Sequence, residues 1–358
     1  MRTPLVVVTG VDPSAVDNAM LGLSWDLPRA VAVRHLVDPG SQVLTRIVSH
    51  AGGVLEREEV PLEHACVTCA LREDIVPTLE RFGRDSRWSS IVAALPTATE
   101  ATQLGRILAS DHRLARHLRL SGIVTTLATQ RLAEDLLGDD LLRERGWHTN
   151  PGDDRGVGEV SCAQIEYADV LVLADDPGTE ATDLIRTLAR PDIQLVIGFD
   201  QLDGGELIAR RHQHKRATAW YSPELEAELS ALGRSHAWRL DLSSPRPFHP
   251  ERLLDQIERL GTGRHRSRGC FWVPTRPGAA LEWSGAGGQL SIGSYRGRSR
   301  RTPLTRLLFT GLGSAPAELL TAFEDILLTP TEALVDQRNW NVLEDGLEPW
   351  LGDIREVA

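Results

Sequence analysis

The sequence predicts an α/β fold, with a parallel sheet and flanking helices, followed by a small antiparallel α+β C-terminal domain. Apolar runs such as PLVVVTG (4–10) are typical of buried parallel strands. Helical patterns lie between several of these runs, which indicates βαβ units. After residue 268 the pattern changes to short strands and a single helix, which indicates the second domain.

Six apolar runs predict the strands of the first domain, and three amphipathic segments predict helices between them. The strand runs are 4–10, 30–36, 89–96, 120–128, 168–175 and 193–199. The helical segments are 73–83, 100–118 and 178–190. Residues 43–49 and 54–60 are separated by HAGG, and this spacing predicts a hairpin at a sheet edge.

The segment SSPRPFHP (243–250) is the predicted linker, because residues that precede proline are disfavoured in a helix. The predicted C-terminal strands are 269–275, 279–285, 288–294 and 305–313, with a helix at 315–328. The predicted domains are therefore 1–243, 244–262 (linker and helix), 263–334, and an acidic tail at 335–358 that contains two tryptophans. This tail is predicted to be either an ordered arm or a docking segment.

Composition excludes several classes of protein. The 358 residues carry a net charge of −11, whereas a general nucleic-acid coat protein is basic. No apolar run approaches the roughly 20 residues of a membrane helix, and the N-terminal run is too short for a signal segment. Four cysteines do not form a disulfide framework. The sequence predicts a cytoplasmic protein without membrane partners.

Two of the cysteines lie in HACVTC (64–69), where Cys66 and Cys69 have the spacing of half a zinc site. His64 is a candidate third ligand. A redox pair and simple packing remain alternatives, although the flanking residues typical of thioredoxin-like pairs are absent. His212 and His214 also have metal-like spacing, but they are predicted to lie in an exposed basic loop.

The order of these motifs resembles the CobW family, metallochaperone-type relatives of P-loop GTPases. CVTCALRED resembles the family's Cys-x-Cys-Cys and Leu-Arg-x-Asp motif, with Thr68 in place of the second cysteine. LLFTGLGSAPAELLTAFEDILLT and RGCFWVPTRP resemble its C-terminal domain. The resemblance implies a P-loop-NTPase-like parallel sheet in the first domain and a zinc site at Cys66 and Cys69.

The nucleotide motifs of that family have lost their chemistry in this chain. A phosphate loop needs glycines, a lysine and a hydroxyl, and carboxylates repel phosphate. The departures are Ala15, Val16 and Asp17 in the loop, Ala93 or Ala94 near Mg²⁺, Ala174, Asp175 and Pro177 in the base-reading motif, and Ala128 after the fourth strand. Residues 10–19 are interpreted instead as a loop and helix cap, with Asp12 or Ser14 as the capping residue. These losses argue against GTP and Mg²⁺, so no catalytic or nucleotide-binding residue is assigned and the chain is not predicted to be a GTPase.

Two basic runs, 263–269 and 295–301, stand out in this acidic chain. Arginine binds phosphate in a bidentate manner, which suggests an RNA or acidic-partner surface. The residues concerned are Arg264, Arg266, Arg268, Arg296, Arg298, Arg300 and Arg301. A pair of solvated loops is the alternative interpretation.

The predicted function is a non-hydrolytic, CobW-like, zinc-responsive protein that regulates or adapts a partner protein. One actinobacterial branch of the family is linked to zinc starvation and ribosome hibernation, so the resemblance also implies a ribosome or hibernation factor as the partner. A GTP-dependent zinc metallochaperone with a divergent nucleotide site is one alternative. The other is a protein-interaction scaffold that binds neither ligand.

Overall fold

The computed structural model describes residues 2–64, 66–295, 304–333 and 340–354. Within these residues the chain forms thirteen strands in two sheets. The strands are β1 Thr3–Gly10, β2 Ala30–Asp38, β3 Val43–His50, β4 Gly53–Pro61, β5 Ser90–Ala94, β6 Leu118–Leu127, β7 Val170–Leu173, β8 Gln194–Ile197, β9 Ala237–Ser244, β10 His265–Phe271, β11 Ala280–Ala286, β12 Gln289–Tyr295 and β13 Thr305–Leu312. The helices are α1 Pro13–Asp26, α2 Val67–Ala70, α3 Val76–Arg84, α4 Thr102–Ser110, α5 Leu114–His117, α6 Leu132–Leu137, α7 Val157–Tyr167, α8 Gly178–Leu188, α9 Gly204–Ala209, α10 His214–Tyr221, α11 Pro250–Gly261, α12 Glu318–Ile326, α13 Pro330–Ala333 and α14 Glu348–Leu351.

The first sheet has the order β4-β3-β2-β5-β1-β6-β7-β8. Strands β2, β5, β1, β6, β7 and β8 are parallel, which confirms the predicted α/β class. Strands β3 and β4 are antiparallel and lie at one edge, where the sequence predicts a hairpin. Consecutive residues of the central strands are buried on both faces, because helices cover the sheet from both sides.

Each face of this sheet has its own hydrophobic core. On one face α1 and α9 pack over residues such as Val6, Val8 and Val92. On the other face α3 and α4 pack over Leu5 and Ile91. Among the described residues, no helix is both long and apolar enough to cross a bilayer.

The second sheet is antiparallel, with the order β12-β11-β10-β13-β9. One of its faces packs on α11 and α12 around Phe271, Phe309 and Phe323. Its strand β9 lies before the predicted linker and yet pairs with β13 along its whole length. The predicted boundary at residues 243 and 244 therefore falls at the end of a strand of the second sheet, and the proposed division into domains needs this strand moved to the C-terminal unit.

The predicted helix at 100–118 is two helices instead of one. Helix α4 ends at Ser110, and α5 covers only residues 114–117. Asp111 causes the break, because its extended backbone ends α4 and its carboxylate accepts hydrogen bonds from the backbone N–H groups of Arg113 and Leu114.

The predicted basic loop at 263–269 is wrong, since most of it is the central strand β10. Arg266 and Arg268 are buried and point toward the first domain. There the carboxylate of Glu166 on α7 accepts hydrogen bonds from Arg266 at 2.9 and 3.0 Å and lies 3.2 Å from Arg268. Arg264 is exposed but makes a bidentate pair with Glu134. These side chains join the two domains, so they do not form the predicted RNA surface.

The other four arginines of that predicted surface, Arg296, Arg298, Arg300 and Arg301, lie outside the described residues.

The tail is described from residue 340 to residue 354. Its Asp345 is buried and binds Thr275 and Arg276 of the second domain at 2.8 to 2.9 Å. Leu347 joins the core of that domain. This part of the tail is therefore an ordered arm.

Candidate metal centre

The predicted metal ligands lie in the turn between the edge strand β4 and a long helical segment. Strand β4 ends at Pro61, and the buried Leu62 donates its backbone N–H to the Gln42 carbonyl at 3.0 Å. A short turn follows, and Cys66 then begins α2 as its N-cap. The Cys66 sulfur accepts a hydrogen bond from the backbone N–H of Cys69 at 3.4 Å. We call residues 63–74 the cysteine corner.

The helical segment that carries these residues is anchored to the hydrophobic core and to the first sheet. Helix α2 continues through a π-helical turn, Leu71–Ile75, into α3. Leu71 and Ile75 are buried in the core. In the same turn the buried Asp74 accepts hydrogen bonds from His35 on β2, at 3.1 Å, and from Arg46 on β3. Asp74 therefore ties the cysteine corner to the sheet.

Three donor groups converge at the surface of the cysteine corner. A carboxylate oxygen of Glu63, a ring nitrogen of His64 and the sulfur of Cys69 all lie within 4.8 Å of one another. The His64 Nδ1 to Cys69 Sγ distance is 4.0 Å. Zinc ligands at Zn–S and Zn–N distances of about 2.3 and 2.1 Å lie no more than about 4.4 Å apart. The three donors are of types that zinc takes, and the His64–Cys69 distance falls within this limit.

The two cysteines interact directly. The pKa of the Cys69 thiol is raised, chiefly by its contact with the Cys66 thiol and also by burial. A raised pKa means that the neutral thiol is favoured while no cation is present. A bound metal ion reverses this preference, because coordination requires the thiolate.

Arg72 lies beside the same donors. Its guanidinium donates hydrogen bonds to Glu63 at 2.8 Å and to Glu73 at 2.7 Å, and it lies 3.8 Å from the Cys69 sulfur. These contacts lower the pKa of Glu73 and raise that of Arg72. Thr68, which replaces the family's second cysteine, points elsewhere and donates to Gln103 on α4 at 3.4 Å.

Of the predicted ligands, the structure brings His64 and Cys69 into one donor group and leaves Cys66 in contact with Cys69. Sequence reasoning missed Glu63, although it directly precedes His64 and a carboxylate is a recognised zinc ligand. The interpretation of His212 as part of an exposed loop is wrong. His212 is buried, with its Nδ1 2.7 Å from a carboxylate oxygen of Asp169, and His214 bonds to the Tyr167 hydroxyl at 3.0 Å.

The segment at the phosphate-loop position is short. Strand β1 ends at Gly10, and α1 already begins at Pro13. Asp12 caps this helix, because its carboxylate accepts the backbone N–H of Ser14 at 2.8 Å. This confirms the interpretation of a loop and helix cap. Asp17 forms an ion pair with Arg34 at 2.8 Å.

Apolar side chains cover this end of the sheet. Val11 packs in a cluster with Ala98, Leu142, Val157 and Val160, and the ring of Trp147 lies against it. We call this cluster the covered edge. Gly10 itself is tightly packed, since a Cβ atom there would collide with the Thr126 hydroxyl.

Hydrogen bonds hold in place the segment that contributes Leu142 to the covered edge. Asp153 accepts hydrogen bonds from Arg155 and from the backbone and hydroxyl of Thr149, at 2.8 to 3.1 Å. Arg155 also donates to the Ala98 carbonyl at 3.2 Å. The loop after strand β5 and the segment that contains Leu142 are thereby joined.

The other predicted nucleotide positions divide into a buried and an exposed group. Ala93 and Ala94 are fully buried in β5. After β7, Ala174 and Asp175 are exposed, and the Asp176 carboxylate accepts the backbone N–H of Gly178 at 2.9 Å.

Comparisons with known proteins show what this chain is similar to. Residues 238–327 match the cobalamin synthesis protein cobW C-terminal domain. The chain is similar to the zinc chaperone Rv0106 of Mycobacterium tuberculosis, with 27% identity over 99% of this chain and 94% of the relative. It is also similar to the zinc-regulated GTPase metalloprotein activator 1 of Dictyostelium discoideum, with 23% identity over 66% of this chain and 54% of the relative. Among solved structures, the Zn(II)-bound YjiA GTPase from E. coli aligns with 15% identity and a TM-score of 0.36 over 91% of this chain and 99% of that chain.

Proposed function

We propose that this chain is a CobW-family protein that binds zinc at the cysteine corner and regulates a protein partner without hydrolysing GTP. The observation that carries the proposal is the convergence of Glu63, His64 and Cys69 on one point of the surface. Zinc prefers this mixture of carboxylate, imidazole and thiolate ligands. Two of its relatives are a zinc chaperone and a zinc-regulated activator, which supports the same metal.

Cys66 is the fourth ligand that we propose. A structural zinc site is closed by four protein ligands, and the Cys66 sulfur already contacts the Cys69 thiol in the first turn of α2. Cys66 is partly exposed, whereas Cys69 is buried. The site therefore opens to solvent, which suits a protein that acquires and releases its ion.

Metal analysis of the purified protein tests this proposal. We expect about one zinc per chain, lost in Cys69→Ser and in the Cys66→Ser/Cys69→Ser double variant, because the thiolates are the strongest ligands of the set. Glu63→Gln should weaken binding by at least about tenfold, because losing even an outer-shell partner of a metal ligand costs about 10–100-fold. Cys162→Ser is the matched control, since this thiol is buried in another part of the chain and donates to the Leu136 carbonyl. Zinc that persists in the double variant would refute the proposal.

The absence of GTP chemistry is a separate part of the proposal, supported by the covered edge. A phosphate loop surrounds phosphate with several backbone N–H groups between its strand and its helix. Here Val11 and Asp12 alone separate β1 from α1, and Val11 is buried under Leu142 and Val157. Asp17 on α1 supplies no hydroxyl for Mg²⁺, and its carboxylate pairs with Arg34.

Calorimetric titration of GTP with Mg²⁺, together with a phosphate-release assay, tests this part. We expect neither binding nor hydrolysis at micromolar nucleotide. Micromolar binding would favour the alternative, a GTP-dependent zinc metallochaperone that opens the covered edge. The zinc measurement is independent of this result, so the two parts of the proposal can fail separately.

A protein partner completes the proposed function. The family resemblance implies the ribosome or a hibernation factor, and zinc would set whether the partner binds. The test is sedimentation of the purified protein with ribosomes, with zinc and with a chelator. We expect zinc to change the bound fraction of wild type and not that of Cys69→Ser. Equal binding in both conditions would show that zinc does not regulate this contact.

A further inference from the structure

We propose that the Arg72 guanidinium occupies the cysteine corner when no metal is bound, and that zinc displaces it from Glu63 and Cys69. This inference rests on the proposed zinc site and assigns to that site a built-in competitor. It concerns how strongly the site holds zinc, whereas the proposed function concerns whether the site binds zinc at all.

The geometry places one positive charge among the metal donors. The same terminal nitrogen of Arg72 is 2.8 Å from a Glu63 carboxylate oxygen and 3.8 Å from the Cys69 sulfur. Both of these residues belong to the group of three donors that can hold an ion. In the metal-free protein the guanidinium thus pairs with the Glu63 carboxylate and lies beside the Cys69 sulfur, two donors that a divalent ion would use.

Zinc and this guanidinium compete for the same donors. A carboxylate has several lone pairs, but a cation of charge +2 repels a guanidinium that approaches the same oxygen and sulfur. Arg72 is more than half exposed, so its side chain can leave without disturbing the core. Binding of zinc therefore opposes the Arg72–Glu63 hydrogen bond.

Glu73 provides a second position for the displaced side chain. The same Arg72 nitrogen already lies 2.7 Å from Glu73, which is outside the three-donor group. Glu73 also accepts the backbone N–H of Glu63 at 3.3 Å and so connects the turn to the helix. Arg72 can keep its pairing with Glu73 while Glu63 turns to the metal. This competition by Arg72 lowers the affinity for zinc and makes zinc binding reversible.

The experiment measures zinc affinity by competition with a chromophoric chelator in four proteins. These are wild type, Arg72→Gln, Arg72→Lys and Arg84→Gln. Because exposed ion pairs are weak, we expect Arg72→Gln to bind zinc about three- to tenfold more tightly than wild type. Arg84→Gln is the charge-matched control, since Arg84 pairs with Glu80 on the adjoining helix. Arg72→Lys retains the charge and should stay near wild type.

The outcomes separate the inference from the proposed function. Zinc binding by wild type with equal or weaker binding by Arg72→Gln overturns the inference and leaves the zinc site intact. An equal gain in Arg84→Gln also overturns it, because the effect would then be one of net charge. Binding by Arg72→Gln when wild type binds too weakly to measure supports it. If neither protein binds zinc, the proposed function fails and the inference fails with it.

Discussion

The cysteine corner and the covered edge are both loops beside the first sheet, and they differ in what fills them. At the cysteine corner, Glu63 and His64 are exposed and share one small volume with the Cys69 sulfur. At the covered edge, Val11 and Leu142 are buried in an apolar cluster. In the family that the chain resembles, the first position is associated with a metal and the second with a nucleotide.

At the covered edge, the loss of ligand-binding groups is accompanied by the packing of apolar side chains in their place. Val11, between β1 and α1, contributes to the free energy of folding by burial, about 1.5 to 3 kcal/mol for a side chain of this kind. Glu63 and His64 at the cysteine corner contribute little in this way, because both are exposed. Ligand-competent groups kept at the surface are better explained by binding than by stability.

The largest effect on this comparison is expected from Asp74→Ala. The Asp74 carboxylate lies between His35 and Arg46, so its removal leaves a buried guanidinium with fewer partners. Removing one partner of a buried ion pair costs about 3–5 kcal/mol. Here Glu58 still pairs with Arg46, so we expect about 3 kcal/mol, measured by urea unfolding.

The same variant should weaken zinc binding, because the helix that carries Cys69 loses its tie to the sheet. Glu80→Ala is the control on the same helical segment, since its exposed pair with Arg84 contributes less than about 0.5 kcal/mol. Unchanged stability together with weakened zinc binding would show instead that Asp74 acts on the metal site directly.

Leu142→Ala should have an effect of comparable size. Leu142 is fully buried, and removing such a side chain costs about 2–4 kcal/mol. The covered edge should loosen while zinc affinity at the cysteine corner stays at the wild-type value. Urea unfolding and the chelator competition assay measure the two quantities. Micromolar GTP binding by this variant would show that packing alone conceals a competent nucleotide site, and would contradict the proposal that the chemistry is lost.

The sequence predicts the first sheet well because its strands are long apolar runs and its hairpin has a clear turn. It also predicts the capping role of Asp12, which is a local effect. Two predictions fail because they depend on contacts distant in sequence. Arg266 is a buried partner of Glu166, 100 residues away in the chain. His212 is held by Asp169, 43 residues away. Hydrophilic side chains look exposed in a sequence until their distant partners are known.

The cysteine corner is predicted only in part for a related reason. The spacing of Cys66 and Cys69 identifies a ligand pair, and His64 follows from its proximity to them. Glu63 and Arg72 carry no spacing signal, because their roles depend on how the turn after β4 folds back on α2. Exposed Glu and Arg residues are common in any sequence, and only the structure distinguishes these two from the rest.

The smallest effect, and the one that depends on pH, is expected from Asp153→Asn. Burial opposes ionisation of Asp153, but hydrogen bonds from Arg155 and Thr149 outweigh it and lower the pKa of this carboxyl to about 2. The pKa of an aspartate in an unfolded chain is about 3.9. Because the folded pKa is the lower one, the contribution to stability is fully present above about pH 4 and is lost as the pH falls toward 2.

We therefore expect Asp153→Asn to lower the free energy of unfolding by about 1–2 kcal/mol at pH 7, with the difference from wild type shrinking below pH 4. Urea unfolding at a series of pH values measures this difference. Asp154→Asn is the control, because the neighbouring carboxylate is largely exposed and its pair with Arg143 contributes less than about 1 kcal/mol.

Since Arg155 joins the segment to Ala98, hydrogen exchange should also quicken at Val11 and Ala98 and stay unchanged at the cysteine corner. Equal quickening at both places would mean that the two regions open together, and that the covered edge is not an independently held structure.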